Sequence, residues 1–314
     1  MNENIILELQ GIHKHYKDNN GSSFKVINNV DIRLRQGECI VIVGESGCGK
    51  STFARLISQL TDITKGKIFY KGQDFTNLRG VQLKEYYKNV QMIFQDPLST
   101  FSPRMKIGGY MVEPYLNFKL MDKKSAYKYA EELLEMVGLN KAFIKRYPNE
   151  LSGGQLQRVV IARTIGLKPN IIICDECTSA LDVSIQKQII NLLIELQKQT
   201  NFSNIFITHN LALAENISDK IYVMYLGEIV EILSSKNISK DAKHPYTKAL
   251  LNAVLSVKNF NQDIKVINEP INKSINLQGC SFASRCPSVF KNCFKEKPTL
   301  EKLNNRCSVA CNLY

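Results

Sequence analysis

The 314-residue sequence has no long hydrophobic run, and none of its apolar stretches approaches the ~18 residues that a membrane-spanning helix needs. Its first residues, Met1-Asn2-Glu3-Asn4-Ile5, contain no basic segment followed by an apolar core, which an export signal requires. These two absences argue against a membrane-spanning chain and against an exported one. We therefore expect the protein to stay in the cytoplasm.

The sequence also lacks any run of five or more basic residues, although 41 Lys and Arg against 29 Asp and Glu give a net charge of +12. The scattered lysines favour a solvated surface, while charge alone leaves a nucleic acid or an anionic membrane open as a partner. No internal repeat or long low-complexity tract is present. The length suits one large domain, or a domain of about 250 residues with an appendage.

What the sequence does contain is a phosphate-binding pattern between a strand and a helix. Residues 39–43 form an apolar run that predicts a buried strand, and residues 52–57 have helical spacing. Between them the pattern G-x-x-x-x-G-K-[ST] is formed by Gly44, Glu45, Ser46, Gly47, Cys48, Gly49, Lys50 and Ser51. In such a P-loop, backbone N–H groups and the helix dipole face the phosphates. The strand, the lysine and the hydroxyl together disfavour the alternative, a glycine-rich turn without a ligand.

Strand and helix patterns alternate along most of the chain. Residues 5–43 are β-rich, further strands are predicted at 66–72, 90–94, 171–174 and 204–208, and a hairpin is predicted at 221–231 with its turn at Gly227. Residues 98–150 carry turn signals, including Gly108-Gly109, and then a helix from about 123 to 137. A second helix is predicted from about 184 to 199. The alternation implies a mostly parallel sheet with a helical insertion.

Two further motifs point to the same chemistry. Asp175 and Glu176 end the apolar strand at 171–174, where a carboxylate can hold Mg²⁺ and the next can polarise a water. Ser152, Gly153, Gly154 and Gln155 precede a helix and predict a second anion nest. The alternative interpretation of this second motif is an ordinary helix N-cap, because Ser is a favoured capping residue.

Taken together, these motifs resemble those of an ATP-binding cassette (ABC) transporter nucleotide-binding subunit over roughly residues 5–255. The matching positions are residues 44–51, Gln95, 151–155, Asp175-Glu176, 179–182 and His209, in the family's order and spacing. The resemblance implies an α/β P-loop ATPase domain with a parallel-sheet core and an N-terminal antiparallel β part. From about residue 257 the composition shifts to an Asn- and Lys-rich sequence, so we expect this domain to span 1–256, with the helical insertion at about 98–166 and a Cys-rich extension at 257–314.

The resemblance also implies roles for single residues. Tyr16 would stack on adenine, Glu176 would be the catalytic base and His209 would contact the γ-phosphate. The expected nucleotide contacts also include residues 44–51, Thr52, Gln95 and Asp175. Mg²⁺ would be held by Ser51, Gln95 and Asp175.

In this family two subunits pair head to tail around ATP. The partner's nucleotide would be contacted by Ser152, Gly153, Gly154, Gln155 and Asp182. The chain departs from the family pattern at Cys177, where Pro is usual, and at Asn210, where Asp is usual. Neither change removes a group that the chemistry needs, although Asn210 leaves the local hydrogen bonding open.

A narrower resemblance is to the peptide and nickel importers, carried by residues 91–97, 102–105 and 244–251 and by the C-terminal cysteines. It implies an ATP-hydrolysing subunit that energises import of oligopeptides or dipeptides from the cytoplasmic face of the cell membrane. Its implied partners are a second ABC ATPase subunit, two transmembrane permeases and an extracytoplasmic solute-binding protein, with no nucleic acid. Import of nickel or another small solute and a soluble non-transport ABC ATPase are the alternatives. A non-hydrolysing regulatory subunit is disfavoured by Lys50, Glu176 and His209.

Five of the nine cysteines fall within 32 residues at the C-terminal end. All-Cys ligation suits Zn²⁺ or an iron–sulfur cluster, but the spacing lacks C-x-x-C and so does not favour a zinc ribbon. In the importer subfamily a similar four-Cys pattern is associated with a [4Fe–4S] cluster in some members. Its counterparts are Cys280, Cys286, Cys293 and Cys311, and Cys307 is the extra one. Free thiols packed in the protein are the alternative.

Overall fold

The computed structural model describes residues 4–17, 21, 23–234, 238–256 and 278–314. The described strands are β1 (Ile5–Lys17), β2 (Ser23–Arg35), β3 (Cys39–Val43), β4 (Lys65–Tyr70), β5 (Gln73–Asp74), β6 (Val90–Ile93), β7 (Ile171–Asp175), β8 (Ser203–Thr208), β9 (Lys220–Tyr225), β10 (Glu228–Ser234), β11 (Glu301–Lys302) and β12 (Cys307–Val309). The described helices are α1 (Lys50–Ile57), α2 (Gly80–Asn89), α3 (Ile107–Asn117), α4 (Lys123–Met136), α5 (Gly153–Gly166), α6 (Val183–Thr200), α7 (Leu211–Ile217), α8 (Ile238–Asp241), α9 (Pro245–Ser256) and α10 (Lys291–Lys295).

The chain forms two compact units, one of residues 1–76 with 207–314 and one of residues 77–206. Residues 278–314 of the predicted extension belong to the first unit, together with the P-loop. Helix α9 ends at Ser256, next to the predicted boundary, and residues 257–277 lie outside the described part of the chain. The boundary at 256 therefore stays a prediction.

The first unit begins with an antiparallel sheet in the order β2-β1-β4-β5. Strands β1 and β2 are 13 residues each and pair along most of their length, with Leu9 opposite Ile32 and Tyr16 opposite Phe24. Apolar side chains such as Leu7, Leu9 and Ile12 point into the core, while the ends toward Lys17 are exposed. This sheet confirms the predicted N-terminal antiparallel part.

The other strands of the first unit build on β3, the buried strand before the P-loop. Strand β9 pairs with β3 in parallel, and β9 turns back antiparallel into β10. The hairpin turn consists of Leu226 and Gly227, both with positive φ, which suits the twist of a two-residue hairpin and confirms the predicted turn. Beyond β10 the sheet continues with β12 and β11 of the C-terminal extension, both antiparallel. The extension thus adds an edge to the sheet that carries the P-loop.

The second unit combines parallel strands with the helical insertion. Strands β6 and β7 pair in parallel, and β8, whose residues 203–206 belong to this unit, lies beside β7. Helix α4 lies against α3 and α5 and buries Ala126, Ala130, Leu133 and Leu134, and Val137 just after it is buried as well. Among the described residues, no helix is long and apolar enough to cross a bilayer.

The predicted turn at Gly108-Gly109 is wrong, because both glycines lie inside α3. A Cβ at Gly108 would stand 2.7 Å from Ile144 and 2.8 Å from Tyr127, so the missing side chain lets α3 approach its neighbours. Here glycine serves close packing rather than chain reversal.

Candidate nucleotide-binding site

The P-loop connects β3 to α1 in a conformation that depends on two of its glycines. A Cβ at Gly44 would stand 2.2 Å from the carbonyl oxygen of Met224 on β9. Gly49 has a φ of +112°, and its Cβ would stand 2.8 Å from the carbonyl oxygen of Val26. Side chains at these positions would push the loop off the sheet, so the glycines fix the path that the phosphate-binding pattern predicts.

Lys50 is buried at the start of α1, and its ammonium group is held by the loop itself. Its Nζ donates to the carbonyl oxygens of Gly44 at 2.7 Å and Glu45 at 3.0 Å. Ser51, which follows on the first turn of α1, is exposed, and Thr52 is half-buried. The loop therefore presents a fixed positive charge beside a hydroxyl, which is the arrangement that binds phosphate and Mg²⁺ in P-loop proteins.

Tyr16 lies exposed near the end of β1 and stacks on Phe24 of β2, with ring centroids 6.0 Å apart. The ammonium group of Lys14 stands 4.9 Å from the Tyr16 ring centroid. Two exposed aromatic rings side by side offer a flat apolar surface for a base. Sequence reasoning missed Phe24, although the hairpin register that places it opposite Tyr16 would have pointed to it.

His209 follows β8 and is exposed. The next residue, Asn210, is the N-cap of α7: its Oδ1 accepts from the backbone N–H of Leu213 at 3.0 Å. Asn performs this capping role as well as Asp does. The departure from the family pattern at Asn210 therefore leaves the helix start after His209 intact.

In the second unit, Asp175 ends β7 and is buried, and Glu176 follows with a φ of +46°. The turn is closed by Ser179, whose backbone N–H and hydroxyl donate to the Glu176 carbonyl oxygen at 3.0 and 2.9 Å. Left-handed backbone at a non-glycine residue costs of order 1–3 kcal/mol and is typical of functional sites. Cys177, at the family's usual Pro position, is buried in this turn.

The Ser152–Gln155 segment starts α5 with reciprocal hydrogen bonds. The Ser152 hydroxyl accepts from the Gln155 N–H at 3.3 Å, and the Gln155 side chain accepts from the Ser152 N–H at 3.0 Å. This is a capping box, so the alternative interpretation as a helix N-cap is confirmed. Ser152 and Gly153 are exposed, and the contact to a partner's nucleotide stays a prediction.

Two other predicted site residues lie at the ends of elements in the second unit. Gln95 is exposed in a bend two residues after β6, and Asp182 is the N-cap residue of α6. Altogether, the first unit contains Tyr16, residues 44–52 and His209, and the second contains Gln95, residues 152–155, Asp175, Glu176 and Asp182.

The predicted Mg²⁺ ligands are of the types that this ion accepts: Ser51, Gln95 and Asp175 carry hydroxyl, amide and carboxylate oxygens. At the cysteines, burial and the neighbouring thiols of Cys311, Cys293 and Cys286 raise the pKa of Cys280 to about 11, so the four expected cluster ligands interact electrostatically. Within the part of the chain that the structure describes, no three His, Cys, Asp or Glu side chains are grouped to hold a metal ion. The [4Fe–4S] ligand set therefore stays a prediction, and the fifth thiol, Cys307, donates to Glu231 at 3.6 Å.

A P-loop on a parallel strand, an antiparallel N-terminal sheet and a helical insertion define an ATPase of the ABC class. The comparisons agree. The model of the ABC transporter family matches residues 27–179, and that of the oligopeptide/dipeptide transporter C-terminal region matches residues 230–293. Among solved structures, the ATP-binding cassette MJ0796 in a dimeric post-hydrolysis state with ADP and Pi superposes with a TM-score of 0.67. It is 29% identical and covers 74% of this chain and 100% of its own.

Full-length relatives narrow the class. The oligopeptide transport ATP-binding protein OppF of Haemophilus influenzae is 42% identical over 99% of this chain and 97% of its own length. AppF of Bacillus subtilis, also named an oligopeptide transport ATP-binding protein, is 40% identical over 100% and 98%. The dipeptide transport ATP-binding protein DppF of H. influenzae is 38% identical over 98% and 96%. The chain belongs to this family of ABC transporter ATP-binding proteins, and it is an ABC-type ATPase.

Proposed function

We propose that this chain is the ATP-hydrolysing subunit of an importer for oligopeptides or dipeptides, peripheral at the cytoplasmic face of the cell membrane. The observation that carries the proposal is the C-terminal region. Its residues 230–293 match the oligopeptide/dipeptide transporter model, and β12, which follows them at Cys307–Val309, extends the sheet of the P-loop. The relatives that span the whole chain are named for oligopeptide or dipeptide transport.

Within this function, the residues divide the work on ATP. Tyr16, supported by Phe24, stacks on the base, while Lys50 and the loop N–H groups hold the β- and γ-phosphates. Glu176 takes the proton of the attacking water, and His209 contacts the γ-phosphate. Gln95 contacts Mg²⁺ and senses the transmembrane partner.

Mg²⁺ is the proposed cofactor, with Ser51, Gln95 and Asp175 as its protein ligands. When bound, it neutralises phosphate charge as the γ-phosphoryl group leaves. A [4Fe–4S] cluster is the second proposed cofactor, with Cys280, Cys286, Cys293 and Cys311 as its ligands, since these four thiols interact electrostatically.

The proposed partners are a second ABC ATPase subunit, two permeases and an extracytoplasmic solute-binding protein. The exposed Ser152–Gln155 segment and Asp182 contact the nucleotide held by the other ATPase subunit. Each P-loop is then half of a composite site, and hydrolysis belongs to the pair rather than to one chain.

Co-expression with the two permeases of a peptide importer tests the proposal. We expect this chain to sediment with membranes that contain the permeases, and ATP hydrolysis in proteoliposomes to rise when binding protein and a tri- or tetrapeptide are added. Glu176→Gln is the matched control, since it should still associate with the membrane but not respond to peptide. Stimulation by a nickel chelate instead of peptide would move the proposal to a metal importer. No association with any permease would favour a soluble ABC ATPase.

A further inference from the structure

A single arginine of the C-terminal extension contacts the P-loop. Arg285 donates from Nη1 to Glu45 Oε2 at 2.8 Å and from Nη2 to Glu45 Oε1 at 3.1 Å. Glu45 is the second residue of the phosphate-binding pattern, 240 positions away in the chain. Such a two-pronged Arg–carboxylate pair fixes orientation as well as distance, which a lysine cannot do. The Arg285 side chain is only 6% exposed and that of Glu45 is 31% exposed, so the guanidinium is buried while solvent reaches the carboxylate.

Arg285 is itself held in place on several sides. It ends the 3₁₀ turn Ala283–Arg285, and its guanidinium stands 5.8 Å from the ring of Tyr225 and 6.0 Å from that of Phe282. Nη1 also donates to the Tyr225 hydroxyl at 3.4 Å. Phe282 is fully buried and contacts the rings of Tyr225 and Tyr246 at 5.2 and 5.4 Å. The guanidinium is therefore oriented before any nucleotide binds.

Glu45 connects the Arg285 contact to Lys50, the lysine of the phosphate-binding pattern. Glu45 offers its side chain to Arg285, its N–H to the Tyr246 hydroxyl at 2.8 Å, and its carbonyl oxygen to Lys50 Nζ at 3.0 Å. The same carbonyl accepts from the Cys48 N–H at 3.3 Å. A shift of Glu45 would thus move both the lysine and the turn whose N–H groups face the phosphates.

We propose that Arg285 is a positioning residue for ATP binding, through which the C-terminal extension holds the first turn of the P-loop in its phosphate-binding shape. The inference rests on the P-loop and the extension, not on which solute is transported. It gives the extension a role in the ATPase reaction itself. The turn that carries Arg285 lies between Cys280 and Cys286, so chemical change at these cysteines would reach the P-loop by the same contact.

The test compares variants of the full chain on both sides of the pair. Arg285→Gln and Glu45→Gln should each weaken binding of a fluorescent ATP analogue by about tenfold, or about 1.4 kcal/mol. The double variant should be no weaker than either single one, because both remove the same contact. Arg285→Lys should recover only part of the affinity for the ATP analogue, because lysine keeps the positive charge but cannot make the two parallel hydrogen bonds to Glu45. Arg306→Gln, which removes an exposed arginine of the same extension, should bind like the wild type.

A second readout separates positioning from a merely structural role. Hydrogen exchange at residues 44–50 should be faster in Arg285→Gln than in the wild type, and saturating ATP·Mg²⁺ should restore protection, while exchange in β7 stays unchanged. The proposal is overturned if nucleotide affinity stays within about twofold in both single variants, or if their effects add in the double variant. If Arg285→Gln does not fold, the Glu45→Gln variant carries the same test from the P-loop side.

Discussion

Glu176, the proposed base, has a strained backbone directly after the buried strand β7. Its φ of +46° puts a non-glycine residue in the left-handed region, and two hydrogen bonds from Ser179 hold it there. Other non-glycine residues, among them Gln59, Lys168 and Asn201, also have positive φ, so substitution rather than backbone geometry tests its role.

We therefore expect Glu176→Gln to lower ATP hydrolysis by about 10²–10⁴-fold, the usual contribution of a general base. ATP affinity should change little, because Gln keeps the shape of the side chain and Lys50 keeps its place. Steady-state phosphate release and nucleotide titration measure the two effects separately. The exposed Glu135→Gln on α4 is the charge-matched control. Full hydrolysis by Glu176→Gln would remove Glu176 as the base.

His244 is the residue whose burial most clearly predicts a pH effect. Burial lowers its pKa to about 4, and its Nδ1 accepts from the Tyr246 N–H at 3.1 Å, so the folded protein holds a neutral ring. In the unfolded chain a histidine ionises near its ordinary value of about 6.5. His244 therefore makes its full contribution to the free energy of unfolding above a pH of about 6.5. This contribution is lost as the pH falls through about 4.

His244→Asn isolates this contribution, because Asn Oδ1 can still accept from the Tyr246 N–H. We expect the free energy of unfolding of the wild type, measured with urea, to fall relative to that of the variant between pH 6.5 and 4. The nearby Glu231, whose pKa is raised by burial, has the opposite pH dependence but is present in both proteins. If the difference in free energy of unfolding between the wild type and the variant stayed constant over this range, His244 would bind a proton in the folded protein as readily as in the unfolded chain.

Residue identities in the motifs were predictable because the chemistry needs those residue types at those spacings. Lys50, Asp175 and Glu176 are examples, placed by the strands β3 and β7 that the apolar runs predicted. Phe24 could have been found from the β1–β2 register that places it opposite Tyr16, whereas Arg285 was not predictable because its partner Glu45 lies 240 positions away in the chain. Glu45 was predicted as a loop member, but its contact with the extension could not be.

At the scale of elements, the sequence predicts most of those that bury an apolar stripe and misses most of those that do not, with α3 an exception that buries Ile107, Tyr110 and Met111. Helix α2 buries only Tyr86, so it has no periodic pattern to detect, and α3 was hidden by glycines that serve packing. Strands β11 and β12 are two and three residues long, too short for alternation to show. The start of α5 was predicted from its Ser-Gly-Gly-Gln segment, but sequence alone did not separate capping from ligand binding.

Paired variants at Ser152 separate these two roles of the α5 start. Ser152→Ala should lower the free energy of unfolding by about 1 kcal/mol, because the hydroxyl no longer caps the helix. Ser152→Asn should keep most of the stability, since Asn is also a good N-cap. If the hydroxyl also contacts a partner's nucleotide, both variants should lose ATP hydrolysis.

Denaturant unfolding and hydrolysis assays on the same preparations give the comparison. Full hydrolysis by Ser152→Asn would assign Ser152 to capping alone. Equal stability of the wild type and Ser152→Ala would instead argue that the capping box contributes little to α5.

At the scale of the whole molecule, the extension shares the compact unit of the P-loop instead of standing apart. Strand β12 pairs with β10, and the N–H of Ala310 donates to the carbonyl oxygen of Val230 at 2.9 Å. Beneath this pairing lies the fully buried Glu231, whose Oε1 accepts from the backbone N–H groups of Lys243 and His244. A composition shift near residue 256 predicted a separate segment, but strand pairing across the chain cannot be deduced from composition.

Truncation tests how much of the first unit depends on this edge. A chain that stops after Leu303 loses β12, uncovers the unpaired edge of β10 and exposes the buried Leu233. We expect its free energy of unfolding to drop by about 3–5 kcal/mol, from lost burial at Cys307 and Val309 and from the freed edge. Thermal unfolding and light scattering should show a lower midpoint and aggregation. A chain lacking only the exposed Leu313 and Tyr314 should unfold like the wild type. If the longer truncation were equally stable, β12 would contribute little to the first unit, and the Arg285 contact, which this truncated chain retains, would not depend on it.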